Sequence, residues 1–270
     1  MSSADDTAKG TDMTTPTTFT DPTRKTALVA GILYLLTFVS SIPAVFLLGP
    51  ALTNPDYITG AGPDGLVRLG ALLDLVNCFT AVGTAVALYT VIRRAHEGLS
   101  LGFVATRLTE AAILFVATLA ILSVVTLRET GAAGADPATL VTVGQSLVAV
   151  RDWSFVIGTG VPALNALILG TVLYRSRLVP RLIPAVGLIG VATFGSWVIG
   201  YILGVTGDGT PWHTNGVAPI LFWELALGLW MTFNGFRRSA VARLYADVAT
   251  PERPEVTISA PAVATKAGAA

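Results

Sequence analysis

The sequence predicts an all-α membrane protein, a six-transmembrane-helix bundle with both termini cytoplasmic. Three observations lead there. Of 270 residues, 53% are hydrophobic and only 13% are charged, about half the share of roughly 25% usual in soluble domains. So few charges leave too much surface of a soluble fold uncovered. The apolar residues form six segments, each long enough for the about 20 residues of helix that cross the hydrocarbon of a bilayer. Basic residues collect in alternate loops, eleven against two, and excess Lys and Arg marks the cytoplasmic side. An even number of spans returns the chain to the side on which it began.

Residues 1–23 are polar and Thr-rich, carry Asp5, Asp6, Asp12 and Asp21, and read as a disordered N-terminal tail. They lack the short basic start of a signal peptide. Arg24 and Lys25 precede the first span, apolar to about Gly49. A loop follows, with the turn formers Asn54-Pro55-Asp56 and Gly60-Ala61-Gly62-Pro63-Asp64-Gly65. The second span, about 66–92, contains Arg68 and Asp74, and the link Arg93-Arg94-Ala95-His96-Glu97-Gly98 leads to the third, about 99–127, with Arg107 and Glu110. Asp136-Pro137 reads as a helix start, with Asp capping and Pro in first position. Helix can run from there to Tyr174, about 57 Å if unbroken. That exceeds one perpendicular span. Either the part before Arg151 stands outside the hydrocarbon, or the helix tilts and bends near Gly158, Gly160 and Pro162. The fifth span, about 182–207, carries no charge, and the sixth, about 216–236, holds Glu224 near its middle. This divides the chain into a tail over 1–23, a six-span domain over 24–238, and a cytoplasmic, largely disordered tail over 239–270.

The eleven basic residues on one side are Lys9, Arg24 and Lys25, then Arg93 and Arg94, then Arg175, Arg177 and Arg181, then Arg237, Arg238 and Arg243. Arg68 and Arg128 lie opposite. Net charge is zero, so no nucleic-acid partner is implied; the lipid bilayer is the one partner that composition demands. The single Cys78 excludes an internal disulfide and a cysteine-cluster metal site. His96 and His213 fall on opposite sides of the membrane and cannot share a metal within one chain. No phosphate loop, nucleophile elbow or zinc-protease helix motif is present, so no metal or cofactor is expected.

Chemistry is left to ionisable and polar residues inside the spans: Asp74, Asn77, Arg107, Glu110, Arg151, Asp152 and Glu224. Such residues are costly in hydrocarbon and mark functional sites. Opposite charges inside a bundle also simply neutralise one another and fix helix register, and that reading carries more weight. Asn165, Gln145 and Asn234 are weaker polar companions. Arg107 and Glu110, three apart, share a helix face and pair; removing Glu110 alone is then expected to leave a buried, unpaired Arg107. Asp74 and Asn77 share a face in the same way. Asp74 has Gly70, Ala71, Asn77 and Cys78 three and four positions away, so it needs a partner from another helix or a proton; Arg151 is the best candidate partner, and the competing outcome is that Arg151 is satisfied by Glu110 or Glu224 while Asp74 stays neutral. Arg151-Asp152-Trp153 is a local charge pair beside an interfacial aromatic. Glu224 has no partner on its own helix; the simplest reading is a hydrogen bond to a neighbouring helix, with the carboxyl protonated by burial as one form of it, and the sharper one is a proton-carrying site. Gly31, Gly83 and Gly158-Thr159-Gly160 read as helix-contact positions.

Gly70-Ala71-Leu72-Leu73-Asp74, Leu88-Tyr89, Arg107-x-x-Glu110, Arg151-Asp152-Trp153 and Tyr174-Arg175-Ser176-Arg177-Leu178-Val179-Pro180-Arg181 together resemble the bacterial membrane family called domain of unknown function 4386. The resemblance covers about residues 24–238, and Ser176 to Arg181 is its most specific part. It implies a multi-pass protein of the bacterial inner membrane and supplies no reaction, substrate or catalytic residue. Thr90 departs from the family, where Pro is expected after Leu88-Tyr89, and implies a straighter end to the second helix. Two functional classes stay open. One is a non-enzymatic membrane protein, transporter-like or accessory, whose polar residues line an interior cavity for a small-molecule or lipid ligand. The other is an intramembrane enzyme acting on a lipid or lipid-linked substrate, with Asp74, Glu110 or Glu224 as acid or base. The first is favoured because no nucleophile–base pair or metal set assembles at one depth.

Overall fold

The computed structural model describes residues 22–249. The tail readings over 1–21 and 250–270 lie outside them. Seven helices follow one another: α1 (Pro22–Thr53), α2 (Asp64–Ile92), α3 (Glu97–Thr130), α4 (Pro137–Ser176), α5 (Leu182–Ile202), α6 (Pro211–Phe233) and α7 (Arg238–Ala249), with 3-10 turns at Pro55–Ile58 and Gly131–Gly134. Helices α1 to α6 are long and apolar enough to cross a membrane. All-helical spans are what a bilayer requires of an open chain, because no water is there to satisfy backbone N–H and C=O groups.

Each of the six long helices packs against its neighbours in sequence, and α6 closes the ring on α1. Small residues allow that closure. A Cβ on Gly31 would lie 2.6 Å from the backbone nitrogen of Thr232 and 2.8 Å from the Gly228 carbonyl oxygen. Gly83 lies against Leu33, Gly158 against Leu114 and Gly160 against Val198, so the expected contact glycines are contacts. Arg24 adds a polar clasp: its guanidinium donates to the carbonyls of Met231 (3.0 Å), Thr232 (2.8 Å) and Phe233 (3.1 Å). A cation there satisfies the free carbonyls at the negative end of α6.

Asp136 caps α4 as its sequence position predicts, accepting from the Thr139 N–H at 3.0 Å, with Pro137 in the first turn. The Thr139 hydroxyl and N–H hold its carboxyl below the ordinary range. Helix α4 is unbroken for 40 residues, about 60 Å, whereas α5, at 21 residues, is about 32 Å long. Trp153 meets Tyr201 edge-on at 5.8 Å, which sets it level with the last turn of α5. Residues 137–152 therefore extend about 24 Å beyond that level. This projection buries its own apolar cluster, Leu48, Tyr57, Ile58, Ile121 and Val124. The adjoining loop is tied by Arg128, which donates to the Gly60 carbonyl at 2.8 Å and pairs with Asp64. Tyr57 donates to Asp64 at 2.5 Å, and its burial beside that carboxylate pushes the phenol well above its ordinary value.

The other end of the molecule carries the basic loops. Helix α4 stops at Arg177, a non-glycine residue in the left-handed region at φ 58°. The turn drives Leu178 and Val179 fully inside, and the Leu178 carbonyl accepts from the Arg237 N–H at 2.8 Å. Residues 239–249, counted with the tail in the sequence reading, belong to α7, which buries Ala240 and packs Val241 and Leu244 on the core. Tyr245 of α7 stacks under the Arg94 guanidinium at 4.0 Å. Its short apolar stripe is diluted by Arg238, Arg243 and Asp247, which is why composition alone hid it. Thr90 donates to the Ala87 carbonyl within α2, which continues to Ile92.

Candidate functional site

Arg107 lies about 15 Å from the basic end of α3, and Glu224 about 14 Å from the same end of α6. Both helices are apolar around these positions, so the two charges have only each other and their neighbours to turn to. Arg107 is 3% exposed and Glu110 is 6%. The Arg107 Nη1 donates to Glu110 Oε2 at 3.1 Å, and its Nη2 donates to Glu224 Oε1 at 2.8 Å and to Tyr34 Oη at 3.0 Å. Asn165 of α4 donates to Glu110 Oε2 at 2.7 Å, and its own amide oxygen accepts from Thr106 at 2.5 Å. One guanidinium thus draws α1, α3 and α6 together, and Asn165 adds α4. A planar fork of donors can serve two carboxylates at once, where a point-charge ammonium could not do so in fixed geometry.

Glu224 finds its partner on α3, so Arg107 is not a simple two-residue pair with Glu110. The expectation that losing Glu110 would leave Arg107 unpaired is corrected: Glu224 remains. Counting formal charges, Arg107 faces two carboxylates.

A second pair joins α2 to α4. The Arg151 Nη2 lies 3.6 Å from Asp74 Oδ2, as the lack of a partner on α2 requires. The Arg151 guanidinium also sits over the Phe155 ring at 4.3 Å. Asp152 joins neither group. It is exposed, since consecutive helix residues point about 100° apart, and Arg151 turns inward to Asp74 rather than pairing with its sequence neighbour.

Between α1, α2, α3, α4 and α6 lies a cavity of 310 Å³ lined by Asp74, Asn77, Arg107, Glu110 and Glu224 on its polar side. Five of the seven expected residues therefore face one space; Arg151 backs it through Asp74, and Asp152 is outside. Phe38, Leu114, Phe155 and Pro162 give it an apolar wall. Ile42, Val45 and Leu221 line it and are also 40–51% exposed, so its mouth opens on the outer surface of the bundle between α1 and α6. These helices touch at Gly31 and Gly228, nearer the basic end, and the cavity occupies the gap beyond that crossing.

Tyr34 is the partner of Arg107 that sequence reasoning missed, as Thr106 is for Asn165. A tyrosine inside an otherwise apolar span is the available signal, because a buried phenol needs a partner. Gln145 and Asn234 stand elsewhere, Gln145 on the projecting start of α4 and Asn234 at the end of α6. His96 and His213 cap or abut opposite ends: His96 begins α3, while His213 stacks on Trp197 at 4.3 Å. Among the described residues no group of three or more His, Cys, Asp or Glu is arranged to hold a metal.

No curated protein and no solved structure matches this chain. Six apolar helices, an inward-facing Arg107–Glu110 pair and the buried Leu178–Val179 turn are instead accompanied by a match over residues 29–235 to the family described as Domain of unknown function (DUF4386), and the chain belongs to that family.

Proposed function

We propose that this chain is a non-enzymatic, transporter-like or accessory protein of the plasma membrane that binds a small molecule or lipid in the cavity between α1, α2, α3, α4 and α6. The observation that carries this reading is the cavity itself, 310 Å³ with three carboxylates, one guanidinium and Asn77 on its wall. Charges at that depth are expensive to keep unless they serve a ligand or hold the bundle together. With three carboxylates against Arg107 and the Arg151 guanidinium behind Asp74, the space favours a neutral or cationic ligand over an anion.

Both chain ends are assigned to the cytoplasmic side. The two basic residues of the opposite end are each neutralised locally, Arg68 by Glu129 at 2.5 Å and Arg128 by Asp64. The positive-inside rule counts the basic residues themselves, and eleven against two is the asymmetry that supports the assignment. A reporter fused after Arg238 should then be cytoplasmic and one inserted at Asp208 external.

The intramembrane enzyme is the second reading. Two carboxylates do converge, Glu110 and Glu224, but both bind Arg107, and the cavity lining contains no His or Cys. The deciding experiment uses the full chain in lipid nanodiscs. A panel of cationic, neutral and lipid compounds is screened for thermal stabilisation, then repeated on Leu221→Trp and Asn77→Phe, which fill the mouth and the wall. Stabilisation abolished by filling, with the compound recovered unchanged, is the expected result. Stabilisation indifferent to both substitutions would overturn the site, and conversion of a lipid to product would favour the enzyme.

A further inference from the structure

At the basic end, a separate cavity of 260 Å³ lies where the last turn of α4, the start of α3 and helix α7 meet. Its polar lining is His96, Arg175 and Ser176, with Leu99, Val172 and Leu244 as apolar walls. No carboxylate lines it.

Each polar group there is a donor. The Ser176 Oγ is buried and has no hydrogen-bond partner. Elsewhere in the chain, the hydroxyls of Ser40, Thr84, Ser100 and Thr118 donate to a carbonyl three or four residues back, so the unmet hydroxyl of Ser176 is unlike these. A buried polar group without a partner is unfavourable and calls for one. The Nδ1 of His96 accepts from the Leu99 N–H at 3.2 Å. That bond fixes the tautomer and leaves Nε2–H as a donor. Arg175 supplies a permanent charge. Next to the cavity, Arg94 has a second buried donor without a partner, its Nε, while its guanidinium rests on Tyr245 of α7. The surrounding segments hold Arg93, Arg177 and Arg181, with Glu97 as the single acid among residues 93–98 and 174–181.

We infer that this cavity is an anion site for a phosphate group, held by Ser176, His96 and Arg175 and closed by Leu244 of α7. A hydroxyl, an imidazole N–H and a guanidinium converging without a carboxylate match a phosphate's several acceptor oxygens. Basic pockets between spans at the membrane surface are suited to anionic lipid head groups; free phosphate presents the same chemistry. This site also gives α7 a role, as the wall that covers the ligand. It does not depend on the charged cavity at mid-depth.

The test uses the full chain, wild type and Ser176→Ala, Arg175→Gln and Arg68→Gln, the last at the opposite end. Lipid retention is measured by native mass spectrometry after reconstitution in phosphatidylcholine with or without phosphatidylglycerol. Thermal stability is measured in neutral detergent against inorganic phosphate. Wild type and Arg68→Gln should retain phosphatidylglycerol or respond to phosphate, and Ser176→Ala and Arg175→Gln should do so at least about tenfold more weakly. A response to phosphate alone assigns a free anion; retention of phosphatidylglycerol with no phosphate response assigns a head group. Without an anion, Ser176→Ala should be as stable as wild type or more so, because it removes an unmet hydroxyl. A merely structural serine would lose stability in both conditions. No retention and no phosphate response, or equal loss in Arg68→Gln, overturns the proposal.

Discussion

Replacing Arg107 by Met probes the centre of the bundle most directly. The substitution keeps an unbranched stem and removes the guanidinium that serves Glu110, Glu224 and Tyr34. Two carboxylates then share a buried space in which Asn165 is the remaining donor to Glu110. Breaking a buried ion pair by removing one partner costs about 3–5 kcal/mol. Glu110→Gln is milder, because Arg107 keeps Glu224 and the amide oxygen can still accept; a weakened hydrogen bond to a charged group costs about 1.5–3 kcal/mol at most. The triple variant Arg107→Met, Glu110→Gln, Glu224→Gln removes every formal charge and should recover most of the loss, since neutral replacements of buried ionic groups are often tolerated. Heating the detergent-solubilised protein and following the monodisperse fraction by size exclusion reads these differences. At roughly 2–4 °C per kcal/mol for a chain of this size, Arg107→Met should melt roughly 6–20 °C lower. If Arg107→Met were no worse than Glu110→Gln, or the triple variant no better than Arg107→Met, the three-way pairing would not be what holds α1, α3 and α6.

Other substitutions separate packing from charge. The swap Asp74→Arg with Arg151→Asp should restore accumulation lost in either single variant, measured by membrane expression; no recovery would remove support for direct pairing. Gly31→Ala should destabilise markedly, because its Cβ would meet the α6 backbone, whereas Gly195→Ala, with open space around it, should be neutral or gain up to about 1 kcal/mol from helix propensity; equal melting of the two would refute the α1–α6 contact. Tyr57 lies outside the spans, and its phenol is raised by burial and by the bond to Asp64. A folded value above the unfolded one, about 10, means that its contribution is complete below about pH 10 and is lost as pH rises through the folded value. Melting curves from pH 8 to 11 should fall at the alkaline end in wild type and fall less in Tyr57→Phe.

Spans, order and inward charges were legible because a bilayer leaves few options. An uncharged helix such as α5 can only be apolar outside, and Arg107 three residues before Glu110 can only turn inward. Elimination along its own helix showed that Asp74 needs something from outside it, and comparable depth in the membrane pointed to Arg151. Glu224 was legible as needing a partner but not which one, since the choice depends on how α6 meets α3 across the bundle. Tyr34 and the closure of α6 on α1 were hidden for a related reason. Tyrosine at a helix position gives no direction without its neighbours, and Gly31 identifies a close contact without naming what approaches. The unmet hydroxyl of Ser176 had no sequence signal beyond its place in the most specific motif, because most serines in helices bond their own backbone.

The two ion pairs also differ in kind, and their geometry explains why. Trp153 sits level with the end of α5, and interfacial aromatics mark the edge of the hydrocarbon. Arg151, two residues nearer the start of α4, therefore stands close to that level, with its side chain turned into the bundle at 3% exposure. Its distance to Asp74, 3.6 Å, is that of a looser pair, and its guanidinium is shared with the Phe155 ring. Arg107 stands deep among apolar turns and makes contacts of 2.8–3.1 Å to Glu224, Tyr34 and Glu110. Both guanidiniums are 3% exposed, so burial does not separate the two pairs; geometry does. Arg107 is fixed by close partners on α1, α3 and α6, whereas Arg151 meets Asp74 at 3.6 Å and shares its charge with a ring, and the cavity reaches from the first cluster to Asp74 of the second.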